Sequence, residues 1–302
     1  MSALLCAASA LCGQTLSFDV ASVKASEPIT PAMLQSGKVH SGMKIDNKRV
    51  DIGNFSLLQL ICKAYDVKTY QVTGPEWLTA NMGISQQRFD IVANLPDGTT
   101  KEQVPQMLQT LLAERFKVKL HKDSKEQPVY ALVVAKGGLK MKQSAAAAPP
   151  AEGEQNPAVT GSNTVSVNQT KGGAEFSDGS GKSQKMVPAA DGKSMRFEMT
   201  GFTVAELAEG LTPLVDHPIV DTTGVAGKYD AVIDISMGDL LDVARKVGQA
   251  IPASTVAALG EAAEPTGSIF TSLQALGLKL EPRKMPMTLL VVDSAEKAPT
   301  EN

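Results

Sequence analysis

The chain carries one run of residues twice, and this repeat constrains its fold more than any single motif. Arg49-Val50-Asp51-Ile52 leads through Phe55-Ser56 into Leu57, Leu58, Leu60 and Ile61. After 147 residues, without a gap, Arg196-Phe197-Glu198-Met199 leads through Phe202-Thr203 into Val204, Leu207 and Leu211. Arg88-Phe89-Asp90-Ile91-Val92 is echoed by Lys228-Tyr229-Asp230-Ala231-Val232. The run from Phe116 to Leu120 is echoed by Leu276 to Leu280, and Pro128 to Val134 by Pro286 to Val292. Self-similarity at a fixed offset is the mark of a duplicated structural unit.

Periodicity gives each unit its elements. Arg49 to Gly53 alternates as a strand, and Ser56 is placed to cap a helix carrying Leu57, Leu58, Leu60, Ile61 and Ala64. Arg88 to Ala93 puts Phe89, Ile91 and Ala93 on one face of a half-buried strand. Val104, Met107, Leu108, Leu111 and Leu112 recur at helical spacing. Two short strands, Phe116 to His121 and Val129 to Ala135, are expected to close the unit around a polar turn at 123–126. The second copy has the same order from Met195. The fold class is therefore α+β: two related β-α-β-β-α-β-β modules, each a small mixed or antiparallel sheet with helices on one face.

Breaks in composition set the expected boundaries. Residues 1–17 read as a signal peptide and 18–142 as the first module. Residues 143–194 read as a flexible linker, with one weak strand at Thr164 to Val167. Residues 195–294 form the second module, interrupted by an insertion at 237–267, and 295–302 form a disordered tail. A long loop is expected over 26–47, where Pro28, Pro31, Gly37 and Gly42 fall. The leader rests on a short apolar run, Ala3 to Gly13, with small residues clustered at its end. That run is too short to span a bilayer as a helix, so no integral membrane segment is expected in the mature chain. Export to the periplasm or the extracellular space follows as the expected location. A formal charge of −3, with lysine and arginine scattered, excludes a generic nucleic-acid binder.

Motifs for chemistry are sparse. Gly179-Ser180-Gly181-Lys182-Ser183 resembles a phosphate loop, but Phe176 stands where the first glycine of that loop belongs. His40, His121 and His217 are far apart, and no histidines or cysteines have zinc-ligand spacing. Cys62 is the only cysteine beyond the leader, set in an apolar helical pattern where a thiol fills core. No catalytic, cofactor-binding or metal residue and no cofactor is assigned. Asp90 and Asp230 hold matched positions, each two residues after a basic one, and are expected as solvated or ion-paired carboxylates. Trp77, the single tryptophan, sits at a turn and either anchors a partner or caps the local core. Trp77, Asp90 and Asp230 are the candidate partner-binding residues.

Several segments resemble a known family. Phe18 to Lys24, Tyr70 to Leu78, Arg88 to Ala93, Leu111 to Lys117, Pro128 to Val133 and Val220 to Asp230 are similar to secreted proteins abundant in soil Acidobacteria. Those proteins, of Solibacter type, carry a domain of unknown function. The resemblance implies no activity that can be placed on residues. Related domains accompany membrane metallopeptidase receptors of the antibiotic-sensing type, whose zinc motif this chain lacks. The repeat order is also similar to the short N-terminal domains of secretins and TonB-dependent receptors, an analogy of fold alone. The leading expectation is an exported, non-catalytic binding or scaffolding protein of the envelope, taking a partner by sheet-edge pairing. One alternative is a hydrolase with Asp90, Asp230, His217 and Trp77 in a cleft between modules. The other is an accessory sensor component of a membrane peptidase receptor system.

Overall fold

The structure is a computed structural model that describes residues 16–30, 33, 38–46, 48–79, 86–144, 164–170, 173–177, 181–246, 251–259 and 267–300. The expected leader at 1–17 lies almost wholly outside the described residues. The first half contains β1 (Val20–Ala25), β2 (Lys38–His40), β3 (Gly42–Asp46), β4 (Arg49–Ser56), α1 (Leu57–Tyr65), β5 (Val72–Thr73), α2 (Glu76–Thr79), β6 (Arg88–Asn94), α3 (Val104–Arg115), β7 (Lys119–Val134) and β8 (Lys142–Gln143). Then follow β9 (Thr164–Thr170), β10 (Gly173–Ser177), β11 (Ser183–Pro188), β12 (Ser194–Phe202), α4 (Val204–Leu211), β13 (Ile219–Asp221), β14 (Tyr229–Ser236), α5 (Met237–Lys246), α6 (Ala253–Leu259), α7 (Ser268–Ala275) and β15 (Leu278–Ser294). Helices and strands occur together over several sheets, an α+β fold.

Three sheets organise these strands. The first has the order β1-β6-β4-β3, the second β2-β9-β10-β11-β12-β14-β8, and the third β13-β7-β15-β5. One apolar core joins the first sheet to α1 and α3 through Val50, Ile52, Phe89 and Ile91 packed on Leu60, Ile61, Leu108 and Leu112. A second joins β12 and β14 to α4 and α7 through Ile233, Leu207, Ile269 and Leu273.

A hydroxyl residue at the strand-to-helix corner caps the helix in both halves. The Ser56 hydroxyl accepts from the Gln59 amide at 3.3 Å, and the Gln59 side chain accepts from the Ser56 amide at 2.9 Å. Thr203 and Glu206 make the same reciprocal pair at 3.2 and 2.9 Å. Each capping box satisfies two amides that the first helical turn leaves unbonded.

The third sheet departs most from expectation. The expected closing hairpins do not form: β7 and β15 are single strands of 16 and 17 residues, paired antiparallel along nearly their whole length. The polar stretch around 123–126 is mid-strand, with Ser124, Lys125 and Glu126 exposed. Each long strand also serves both cores. Leu120, Leu290 and Val292 pack into the first core, while Leu132, Leu278 and Leu280 pack into the second. Each half thus completes its core with chain from the other.

Proline placement follows from this register. Ala135 donates to Gly277 across the ribbon and Tyr130 donates away from it to Pro218, so even positions of β7 turn their amides outward. Pro128 pairs with Lys284, Pro286 with Glu126 and Pro282 with Tyr130, all at these outward positions. The amides proline lacks are therefore ones the ribbon does not use.

Three further expectations change. The loop expected over 26–47 contains β2 and β3, the latter a hairpin arm on β4 with Asp46 opposite Arg49. The stretch expected to be a flexible linker with one weak strand at Thr164 to Val167 holds that strand within β9 and adds β10 and β11, an antiparallel run that extends the second sheet. Backbone pairing supplies there what apolar burial does not. The tail is docked through Thr300: the amides of Glu296 and Thr300 donate to the Phe116 and Arg115 carbonyls at 2.7 Å each.

Candidate functional site

The matched carboxylates sit at matched backbone irregularities. Pairing of β4 with β6 shifts register between Ile52 and Phe55, and that of β12 with β14 between Met199 and Phe202. The displaced residues, Asn54 and Gly201, take left-handed backbone with φ of 57° and 78°. Such a bulge leaves an amide without a ladder partner, and the aspartate supplies one. Asp90 Oδ1 accepts from the Asn54 amide at 2.8 Å and from the Ser26 hydroxyl at 2.6 Å. Asp230 Oδ1 accepts from the Gly201 amide at 3.2 Å and from the Ser144 hydroxyl.

Asp90 is not bonded by its basic neighbour. Arg88 turns to the Asn54 carbonyl at 2.9 Å and to the Gln59 side chain at 3.3 Å. Lys182, the lysine of the phosphate-loop look-alike, pairs with Glu206. Burial pushes the Glu206 carboxyl up, but its bonds to Lys182 and Thr203 outweigh that and leave it below the usual range.

His40 adds a third polar group beside Asp90. It stands over Gly53 so closely that a Cβ there would lie 2.6 Å from the ring. Its Nε2 is 3.1 Å from Asp51 Oδ1 and its Nδ1 is 3.8 Å from Asp90 Oδ1. Serine, histidine and aspartate therefore meet, but in the wrong order for nucleophilic attack. A triad puts the histidine between hydroxyl and carboxylate; here Ser26 binds the carboxylate directly.

The other candidates lie in separate surroundings. His217 is 3.5 Å from Asp216 and its ring centroid is 5.8 Å from that of Tyr130. Trp77 packs against the first core beside a cleft of about 240 Å³ lined by Leu57, Leu78 and Phe89. Lys297 Nζ lies 5.5 Å from the Trp77 ring centroid. Asp90, Asp230, His217 and Trp77 share no bonding partner among the described residues. No group of three histidine, cysteine or carboxylate residues among the described residues is placed to hold a metal ion. No helix among them is long and apolar enough to cross a membrane.

Sequence reasoning missed Ser26, His40, Asn54, Ser144, Gly201 and Lys297. Two were within reach, since Asn54 and Gly201 occupy the same place in the 147-residue offset and both residue types tolerate left-handed backbone. Asp239 was missed as well. It accepts from the Gly267 amide at 3.0 Å and from the Ser268 amide and hydroxyl at 2.8 and 2.6 Å, closing the 237–267 insertion where it returns to α7.

Among the described residues, β1 has no strand on its outer edge. Ser26 donates to Arg88 at 2.8 Å, so even residues of β1 bond to β6, and Ala21, Val23 and Ala25 turn their amides and carbonyls outward. Arg115 takes the Ala21 carbonyl at 3.3 Å.

No curated protein and no solved structure matches the chain. A family model matches residues 58–295, most of the chain: the protein belongs to the protein family of unknown function DUF3738.

Proposed function

We propose that this chain is an exported, non-catalytic binding module of the cell envelope that takes its partner as an added strand on β1. The outward row of groups at Val23 and Ala25, unpaired among the described residues, carries this reading, because unpaired edge amides and carbonyls are the template for strand addition. β1, with six residues, is the longest strand ending the three sheets. The other long edges, on β7 and β15, carry Pro128, Pro282 and Pro286 on their outward sides, which blunts them. A non-catalytic role is supported by Asp90 and Asp230, whose carboxylates each hold a bulge in the fold. Export is supported by the small-residue apolar run before Asp19.

Ala25→Pro tests the reading. It removes an outward amide at an exposed position and leaves the Ser26 bond to Arg88 in place. Captured on the full chain, an envelope partner is lost in this variant while the melting temperature stays within a few degrees. Equal capture by wild type and Ala25→Pro would refute edge addition at β1.

A further inference from the structure

We infer that the cleft beside Trp77 is a binding pocket for an apolar residue bearing a free α-carboxylate, as at a peptide C-terminus. This rests on the binding-module reading but uses a different surface from the β1 edge. The floor is apolar and already part of the core: Leu57, Leu78 and Phe89 are 4%, 2% and 1% exposed. The rim is polar and uncommitted. The Trp77 indole N–H, the Gln87 amide and the Lys297 ammonium make no hydrogen bond or ion pair among the described residues; the contact of Lys297 with the Trp77 ring is its one interaction there.

That combination selects a ligand class. An ammonium lying over an indole gains cation–π attraction but leaves its charge uncompensated. An arriving carboxylate supplies the missing charge and accepts from donors already at the rim, giving charge-assisted bonds. One lysine without arginine suits a single negative charge; a phosphate dianion is held by more cations or by a guanidinium fork. The volume, about 240 Å³, lies below the roughly 300–1,000 Å³ of pockets for cofactors and drug-sized ligands. It suits one side chain. Gln86 donates to the Leu78 carbonyl at 3.1 Å and so fixes one wall.

Trp77 is the only tryptophan, so its emission reports on the cleft alone. The full chain is titrated with N-acetyl-leucine, with N-acetyl-leucine amide and with inorganic phosphate. The expected result is a saturable change in Trp77 emission with N-acetyl-leucine, at least tenfold weaker with the amide and in Lys297→Gln, and absent with phosphate. The absence of a saturable change, an equal response to the amide or phosphate, or no effect of Lys297→Gln would overturn the proposal. Circular dichroism of Lys297→Gln separates loss of binding from loss of fold. Failure here, with capture still sensitive to Ala25→Pro, removes the cleft and leaves the edge reading standing. Loss of capture sensitivity with the titration intact does the reverse.

Discussion

Asp90 accepts the backbone amide of Asn54 at 2.8 Å, and through that bond one strand of the first sheet holds the bulge of its neighbour. The same relation joins Asp230 to Gly201. The bulge re-aims the chain so that Ser56 and Thr203 meet the following helices as caps. The two carboxylates most suggestive of chemistry therefore belong to the support of a strand-to-helix corner.

Asp90→Ala should cost about 2 kcal/mol, because it leaves the Asn54 amide without its charged acceptor; Asp230→Ala should cost less, because the Gly201 amide keeps the Ser144 hydroxyl as an acceptor at 3.0 Å. Asparagine at either position keeps an acceptor oxygen and should cost less. Urea unfolding of the four variants checks the order.

Backbone strain separates the two bulges. Gly201→Ala puts a Cβ on left-handed backbone and 2.5 Å from the Gly181 carbonyl oxygen, so it should destabilise by about 2 kcal/mol or more. Asn54→Gly relieves a φ of 57° and should be near neutral. Thermal melts of both variants test the asymmetry.

Asp239 should make the protein acid-sensitive. Burial raises its carboxyl, and the bonds from Ser268 and Gly267 more than reverse this, leaving its folded value below normal. A depressed folded value means the contribution is complete above the unfolded value of about 3.9 and is lost as pH falls through the folded one. Asp239→Asn should therefore be less stable than wild type at pH 7, with the gap closing towards pH 2. Unfolding midpoints across that range measure it.

Cys62 should be inert in the folded protein. Burial first, and then the nearby Glu209 charge, push its thiol up to about 12. The thiolate is the reactive form, so a thiol reagent at pH 8 should label Cys62 only after denaturation.

Much of the fold was legible because the repeat places buried positions at strand and helix periods. Ser56 as a cap, and Phe89 and Ile91 as core, follow from local pattern alone. The long ribbon was not legible. Lys122 to Gln127 is polar, and polarity mid-strand reads as a turn unless the partner strand, some 160 residues away, is known. β10 and β11 were hidden for the same reason, since their stability comes from pairing and not from apolar content. The edge at β1 was invisible too: which amides turn outward depends on register with β6, a tertiary fact.

Amide hydrogen exchange on the captured complex shows whether β1 receives a strand. Strand addition predicts that the outward amides of Val23 and Ala25 become protected on binding, while those of Ser22 and Lys24, already bonded to β6, change little. Unchanged exchange at Val23 and Ala25 in a complex that has formed would contradict it.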